Sequence, residues 1–160
     1  MKRIFILTTF LIFLIVPKVS AEVYGQVLVT LDEPDSSNFA EEVLRLCNIE
    51  RANYGIAPLE LDENLIECAD IRAEEIVEEF SHTRPDGTSC FSVLKGISYY
   101  TCGENIAAGH STPEETVDQW MNSAGHRANI LNGEFTKLGV GYCYDENGMY
   151  KNYWVQLFIG

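Results

Sequence analysis

Residues 112–132 read TPEETVDQWMNSAGHRANILN. Thr112 stands as an N-cap, Pro113 takes the first helical position and Glu115 falls three residues beyond the cap, so a helix starts here. Val117, Trp120 and Met121 give that helix its apolar face, and it breaks at Ser123, Ala124 and Gly125. A second short helical run opens with His126, anchored in a core by Ile130 and Leu131 one turn later. A histidine on such a bend is either part of a capped helix joint or a ring aimed into a cleft.

Working back toward the N-terminus, Glu104 lies between Gly103 and the run Asn105-Ile106-Ala107. A carboxylate entering a buried segment costs several kcal/mol, on the order of the desolvation of an ion, unless it meets a cation, donors or a proton. Before it, residues 81–87 read SHTRPDG, with Pro85 forbidding helix continuation and Asp86-Gly87 making a tight turn. His82 therefore follows a helix C-terminus, where it serves as a C-cap or meets a metal. That helix is capped by Asp62 and carries the stripe Leu65, Cys68, Ala69, Arg72, Ala73, Ile76 and Phe80. Glu63, Glu67, Glu74, Glu75, Glu78 and Glu79 are read as its solvated face.

An earlier helix spans about 38–54, from the capping box Asn38/Glu41 to Gly55, and residues 58–61 form a connector whose leucines turn inward. A short helix is expected over 89–94. Residues 137–144, KLGVGYCY, form an alternating strand whose Gly139 and Gly141 allow close backbone approach, and a turn at 146–148 leads into a last strand over 153–158.

Lys2 and Arg3 precede an apolar run at 4–16 and the small-residue site Val19-Ser20-Ala21, the pattern of a secretory signal peptide over 1–21. Cleavage after Ala21 is expected, leaving an arm and linker over 22–37, with VYGQVLV as an edge strand or extended arm, and one domain over 38–160. The expected location is secreted, with no transmembrane segment in the mature chain and no cysteine at the cleavage point to carry a lipid. The net charge is −13, and loss of Lys2, Arg3 and Lys18 with the leader deepens it. A polyanion of this kind is not a nucleic-acid binder; it suits cations or neutral partners.

Five cysteines in an exported chain suggest disulfides, with one left over. Cys90 and Cys102 flank one local excursion, and closing so short a loop stabilises by ~3 kcal/mol in the chain-entropy model. No C-x-x-C, G-x-S-x-G or H-E-x-x-H occurs. Of the three histidines, His110 is read as exposed and idle. Brought together by folding, His82, Glu104 and His126 form a two-imidazole, one-carboxylate cluster fit for zinc or another divalent cation, in which Glu104 can accept a proton from bound water.

The strings SHTRPDG with a following cysteine, CGENIAAG, TPEETVDQWMNSAGHRANILN, FTKLGVGY and YWVQLF, in this order, resemble the bacterial, SCP-like branch of the CAP superfamily of cysteine-rich secretory, antigen 5 and pathogenesis-related 1 proteins. The resemblance covers residues 37–158. It implies an α+β fold, a three-layer α-β-α sandwich around a small central antiparallel sheet. It also implies a cleft of two histidines and two glutamates, of which His82, Glu104 and His126 match; the second glutamate falls at Ser123. The roles it brings are those of an extracellular binding or interaction module, with a lipid or sterol, a peptide or a cell-wall component as partner. The alternatives are an extracellular hydrolase, a metal-assisted or His/Glu-dependent peptidase or esterase, and a purely structural cluster in which Glu104 bonds both imidazoles while lipid or sterol binds elsewhere.

Overall fold

The computed structural model describes residues 36–160. The expected signal peptide and most of the arm, VYGQVLV included, lie outside them. The elements run α1 (Ser36–Asn53), β1 (Glu60–Leu61), α2 (Glu63–Glu78), a 3-10 helix (Cys90–Leu94), β2 (Cys102–Ala108), α3 (Pro113–Asn122), α4 (Ala124–Ile130), β3 (Lys137–Tyr144) and β4 (Asn152–Ile159). The sheet is ordered β1-β3-β4-β2. Against its two faces lie separate apolar clusters, one gathering α1, α3 and α4, the other α2 and the 3-10 helix. The expected three-layer α-β-α sandwich is present.

β2, β3 and β4 are antiparallel, as expected, but the sheet as a whole is mixed, because the two-residue β1 pairs parallel with β3. Its backbone is held by Glu60 N donating to Thr136 O at 3.0 Å and Asp62 N to Leu138 O at 3.1 Å. Local chemistry sets most boundaries. Asp62 accepts from Leu65 N, Thr112 accepts from Glu115 N, and Ser89 accepts from Phe91 N at the start of the 3-10 helix. Two boundaries differ from expectation: α1 begins before the Asn38 capping box, and α2 stops at Glu78, so Phe80 leaves the stripe and is 47% exposed.

Gly139 and Gly141 lie where α2 crosses β3. A Cβ on Gly139 would sit 2.2 Å from Leu65 O, and one on Gly141 would sit 2.2 Å from Ala69 O. Those contacts are backbone, so neither neighbour can swing aside, and the two glycines set the depth at which α2 lies on the sheet. Gly139→Ala is expected to lower stability by at least ~2 kcal/mol through this overpacking. Gly125→Ala, where nothing lies within 4 Å, should leave the urea midpoint unchanged or slightly raised; equal loss in both variants would contradict this packing.

Candidate functional site

Strand β2 builds the site by alternation. Glu104 points to the α2 face and Asn105 to the α4 face, as a pleated strand requires. Between α2 and the sheet, Arg72 has no exposed side-chain surface and the Glu104 side chain 1%. Arg72 Nε donates to Glu104 Oε2 at 2.9 Å, and His82 Nδ1 lies 2.7 Å from Glu104 Oε1. An ionised carboxylate can only accept, so His82 donates from Nδ1, and in the neutral tautomer this selects, Nε2 carries the lone pair. Burial opposes the charge of Glu104, yet the hydrogen bonds from His82 and Arg72 outweigh it and hold the carboxyl below its ordinary range.

Arg72 continues the network outward. Its Nη1 donates to Glu75 Oε2 at 2.6 Å and its Nη2 to Ser81 O at 2.7 Å, while Arg84 Nε meets Glu75 Oε1 at 2.9 Å. The loop carrying His82 is thereby fastened to α2. Arg84 N to Thr88 O and Cys90 N to His82 O close it upon itself. His82 is thus presented to solvent from a fixed base, with its side chain 55% exposed.

On the other face Asn105 Nδ2 donates to His126 O at 3.1 Å, and Asn129 Nδ2 donates to Glu104 O at 3.1 Å and Asn105 Oδ1 at 2.8 Å. Gly103 completes the motif, since a Cβ there would come 2.9 Å from the Phe135 ring. The far end of α4 is tied down by Arg51, fully buried, whose guanidinium donates to the carbonyls of Ala57, Ile130, Asn132 and Phe135. Trp120 and Ile130, the expected core anchors, are both fully buried. His126 is the third residue of α4 and not its head. Its ring is partly buried, Nδ1 has no hydrogen-bond partner among the described residues, and burial, then repulsion from the His82 ring when that is protonated, hold it below the ordinary histidine value.

His82 and Glu104 therefore meet directly, whereas His126 stands within electrostatic reach of His82 and makes no bond to Glu104. Glu104 bonds one imidazole and one guanidinium, not two imidazoles. Both of its oxygens are engaged, Oε2 by Arg72 and Oε1 by His82. Arg72, read only as part of an apolar stripe, is the cation that the buried carboxylate required. Glu75 leaves the solvated face for the Arg72–Arg84 bridge because two guanidiniums flank it. Ser123 makes no side-chain cap bond, and Ser81 Oγ accepts from Thr83 N at 3.0 Å. His110 is half-buried, and its carbonyl accepts from Trp154 Nε1.

No disulfide joins any of the five cysteines, so the expected Cys90–Cys102 link is absent from this structure. Cys90 sits beside His82 and Glu104, and burial together with the Glu104 charge pushes its thiol up to about 12. Cys102 lies by Tyr99.

A sandwich of this topology, with a histidine loop leaning on a strand glutamate and a second histidine after a helix break, defines a class, and the comparisons place the chain in it. Residues 44–158 match the model of CAP, the cysteine-rich secretory protein family, and the chain belongs to that family. It is 46% identical over 136 residues to the uncharacterised protein YkwD of Bacillus subtilis (strain 168), covering 82% of this chain and 51% of that one. The chain thus spans about half the length of this relative. Among solved structures it is similar to an extracellular protein containing a SCP domain from Bacillus anthracis str. Ames, at 31% identity and TM-score 0.68, covering 77% of this chain and 40% of that one. An outer surface protein of Borrelia burgdorferi shares the fold, with TM-score 0.69 at 21% identity, covering 78% of this chain and 94% of that one. Among the described residues no helix is long and apolar enough to cross a membrane.

Replacing Arg72 by Met strands the Glu104 charge, and a loss of ~3–5 kcal/mol is expected, as for other broken buried pairs. The double variant Arg72→Met/Glu104→Leu should recover much of it, which a double-mutant cycle in urea reads directly. Two depressed groups of the cleft, His126 and Glu104, each add a pH dependence. Stability contributed by neutral His126 is complete above 6.5 and declines as pH falls toward its lower folded value. Stability contributed by ionised Glu104 is complete above 4.5 and is lost as pH falls through its lower folded value. Urea midpoints should fall in both windows, and Glu104→Gln should shrink the more acidic limb, to which Glu75 also contributes, while leaving the His126 window in place.

Proposed function

We propose that this chain is an exported CAP module that binds or interacts outside the cell, and that its cleft between His82 and His126 takes up a divalent cation such as zinc. The signal-peptide pattern at 1–21 and the extracellular SCP-domain protein of Bacillus anthracis support export. One observation carries the cation reading: Glu104 pins the proton of His82 on Nδ1, as a carboxylate does behind a metal-ligating imidazole, while His126 Nδ1 is buried without a partner among the described residues. His82 and His126 would hold the ion, with Glu104 orienting one ring and Arg72 holding Glu104. A bound dication supplies Lewis acidity and open coordination positions, suited to a ligand with oxygen donors. The lipid or sterol, peptide or cell-wall partner engages the domain around this cleft.

Calorimetric titration with zinc tests the reading. The chain is expected to bind one equivalent, and His82→Ala/His126→Ala to lose that binding while keeping its far-ultraviolet spectrum; indistinguishable titrations of the two proteins would refute it.

A further inference from the structure

Cys90 is a nucleophilic side chain beside His82 and Glu104 that the cation cleft as described leaves unused. His82, Cys90 and Glu104 each offer a donor atom, and these atoms all lie within 4.8 Å of one another. Glu104 and Cys90 are buried, at 5% and 3% exposure, so this is not a solvated acidic patch; His82 alone opens it to solvent. We infer that Cys90 is a ligand of the cation centre, and that the centre is built for a thiophilic dication, zinc or cadmium, rather than for magnesium or calcium. The inference rests on the proposed cation cleft and adds its third donor.

Charge balance favours this set. Arg72 already neutralises Glu104, so a dication bound to neutral imidazoles alone leaves two positive charges at the edge of a low-dielectric core. A Cys90 thiolate removes one of them. The bridging carboxylate Glu75 lies between Arg72 and Arg84 and balances one of those two guanidiniums. On binding, the Cys90 S–H bond breaks, its proton leaves to solvent and the sulfur electron pair forms the bond to the ion. Both Glu104 oxygens keep their partners, His82 Nδ1 and Arg72, so Glu104 orients the ligating ring from behind, as outer-shell partners do. The pieces are also held rigidly, because Cys90 N donates to His82 O at 3.0 Å and Ser89 caps the 3-10 helix that Cys90 begins. Sulfur and nitrogen donors select soft or borderline ions, since magnesium and calcium require oxygen shells.

Cadmium titration of the reduced protein tests this, because thiolate coordination gives an ultraviolet charge-transfer band. The expected result is one equivalent bound with that band present. In Cys90→Ser the band should vanish and affinity should fall by more than the roughly 10–100-fold that loss of an outer-shell partner costs. Magnesium and calcium should not compete. Cys90→Ala serves where the serine disturbs folding, with near-ultraviolet circular dichroism as the check. Cadmium bound without the band, or a band and affinity retained in both Cys90 variants, overturns the role of Cys90. If in that case the double histidine variant alone loses binding, the cleft proposed above stands. No binding in the unsubstituted chain overturns both.

Discussion

The Arg72–Glu104 ion pair is the interaction on which the cleft depends. Two charges lie between α2 and the sheet with almost no exposed surface, at a cost in desolvation that their contact alone does not guarantee to offset. What makes the arrangement tenable is that each partner is fully engaged: Glu104 by Arg72 and His82, Arg72 by Glu104, Glu75 and Ser81 O. The pair in turn decides the state of His82. With Glu104 ionised, Nδ1 is the donor and Nε2 faces outward as a base or ligand, so a buried charge fixes the chemistry of an exposed ring.

The second wall rests on the same strand. Because successive residues of β2 face opposite ways, Glu104 governs the histidine loop while Asn105, one residue on, holds the carbonyl of His126. Gly103 lets Phe135 close in behind them. Three adjacent residues thereby set the separation of the two walls, and any shift of β2 moves both histidines together. Arg51 plays the corresponding part at the far end of α4, gathering the carbonyls of Ala57, Ile130, Asn132 and Phe135 on one guanidinium.

Much of the fold was legible because its signals are local. Asp62, Thr112 and Ser89 cap helices through bonds to residues two or three positions on, and Gly139 and Gly141 mark a close approach that few other residues allow. Half of the central pair was legible as well: Glu104 asked for a cation, and Arg72 stood conspicuously inside an apolar stripe. Their partnership was not, because it joins residues 32 apart and arises only when α2 packs across the sheet. Glu75 was hidden among the other glutamates of the same run, since nothing local separates a bridging carboxylate from a solvated one. Cys90 was obscured by its spacing to Cys102, which suggested a staple, whereas the thiol lies beside the carboxylate of Glu104. The parallel β1, two residues long, has no periodicity to read.

The most direct measurement of this account is the carboxyl resonance of Glu104, followed by carbon-13 nuclear magnetic resonance as the pH is lowered. A buried carboxyl held by Arg72 and His82 should titrate below the ordinary glutamate value of about 4.3, and the His82 ring should show its proton on Nδ1 while Glu104 stays ionised. Titration of Glu104 at or above that value would mean that desolvation outweighs its partners, and the charge on which the cleft is built would not be there.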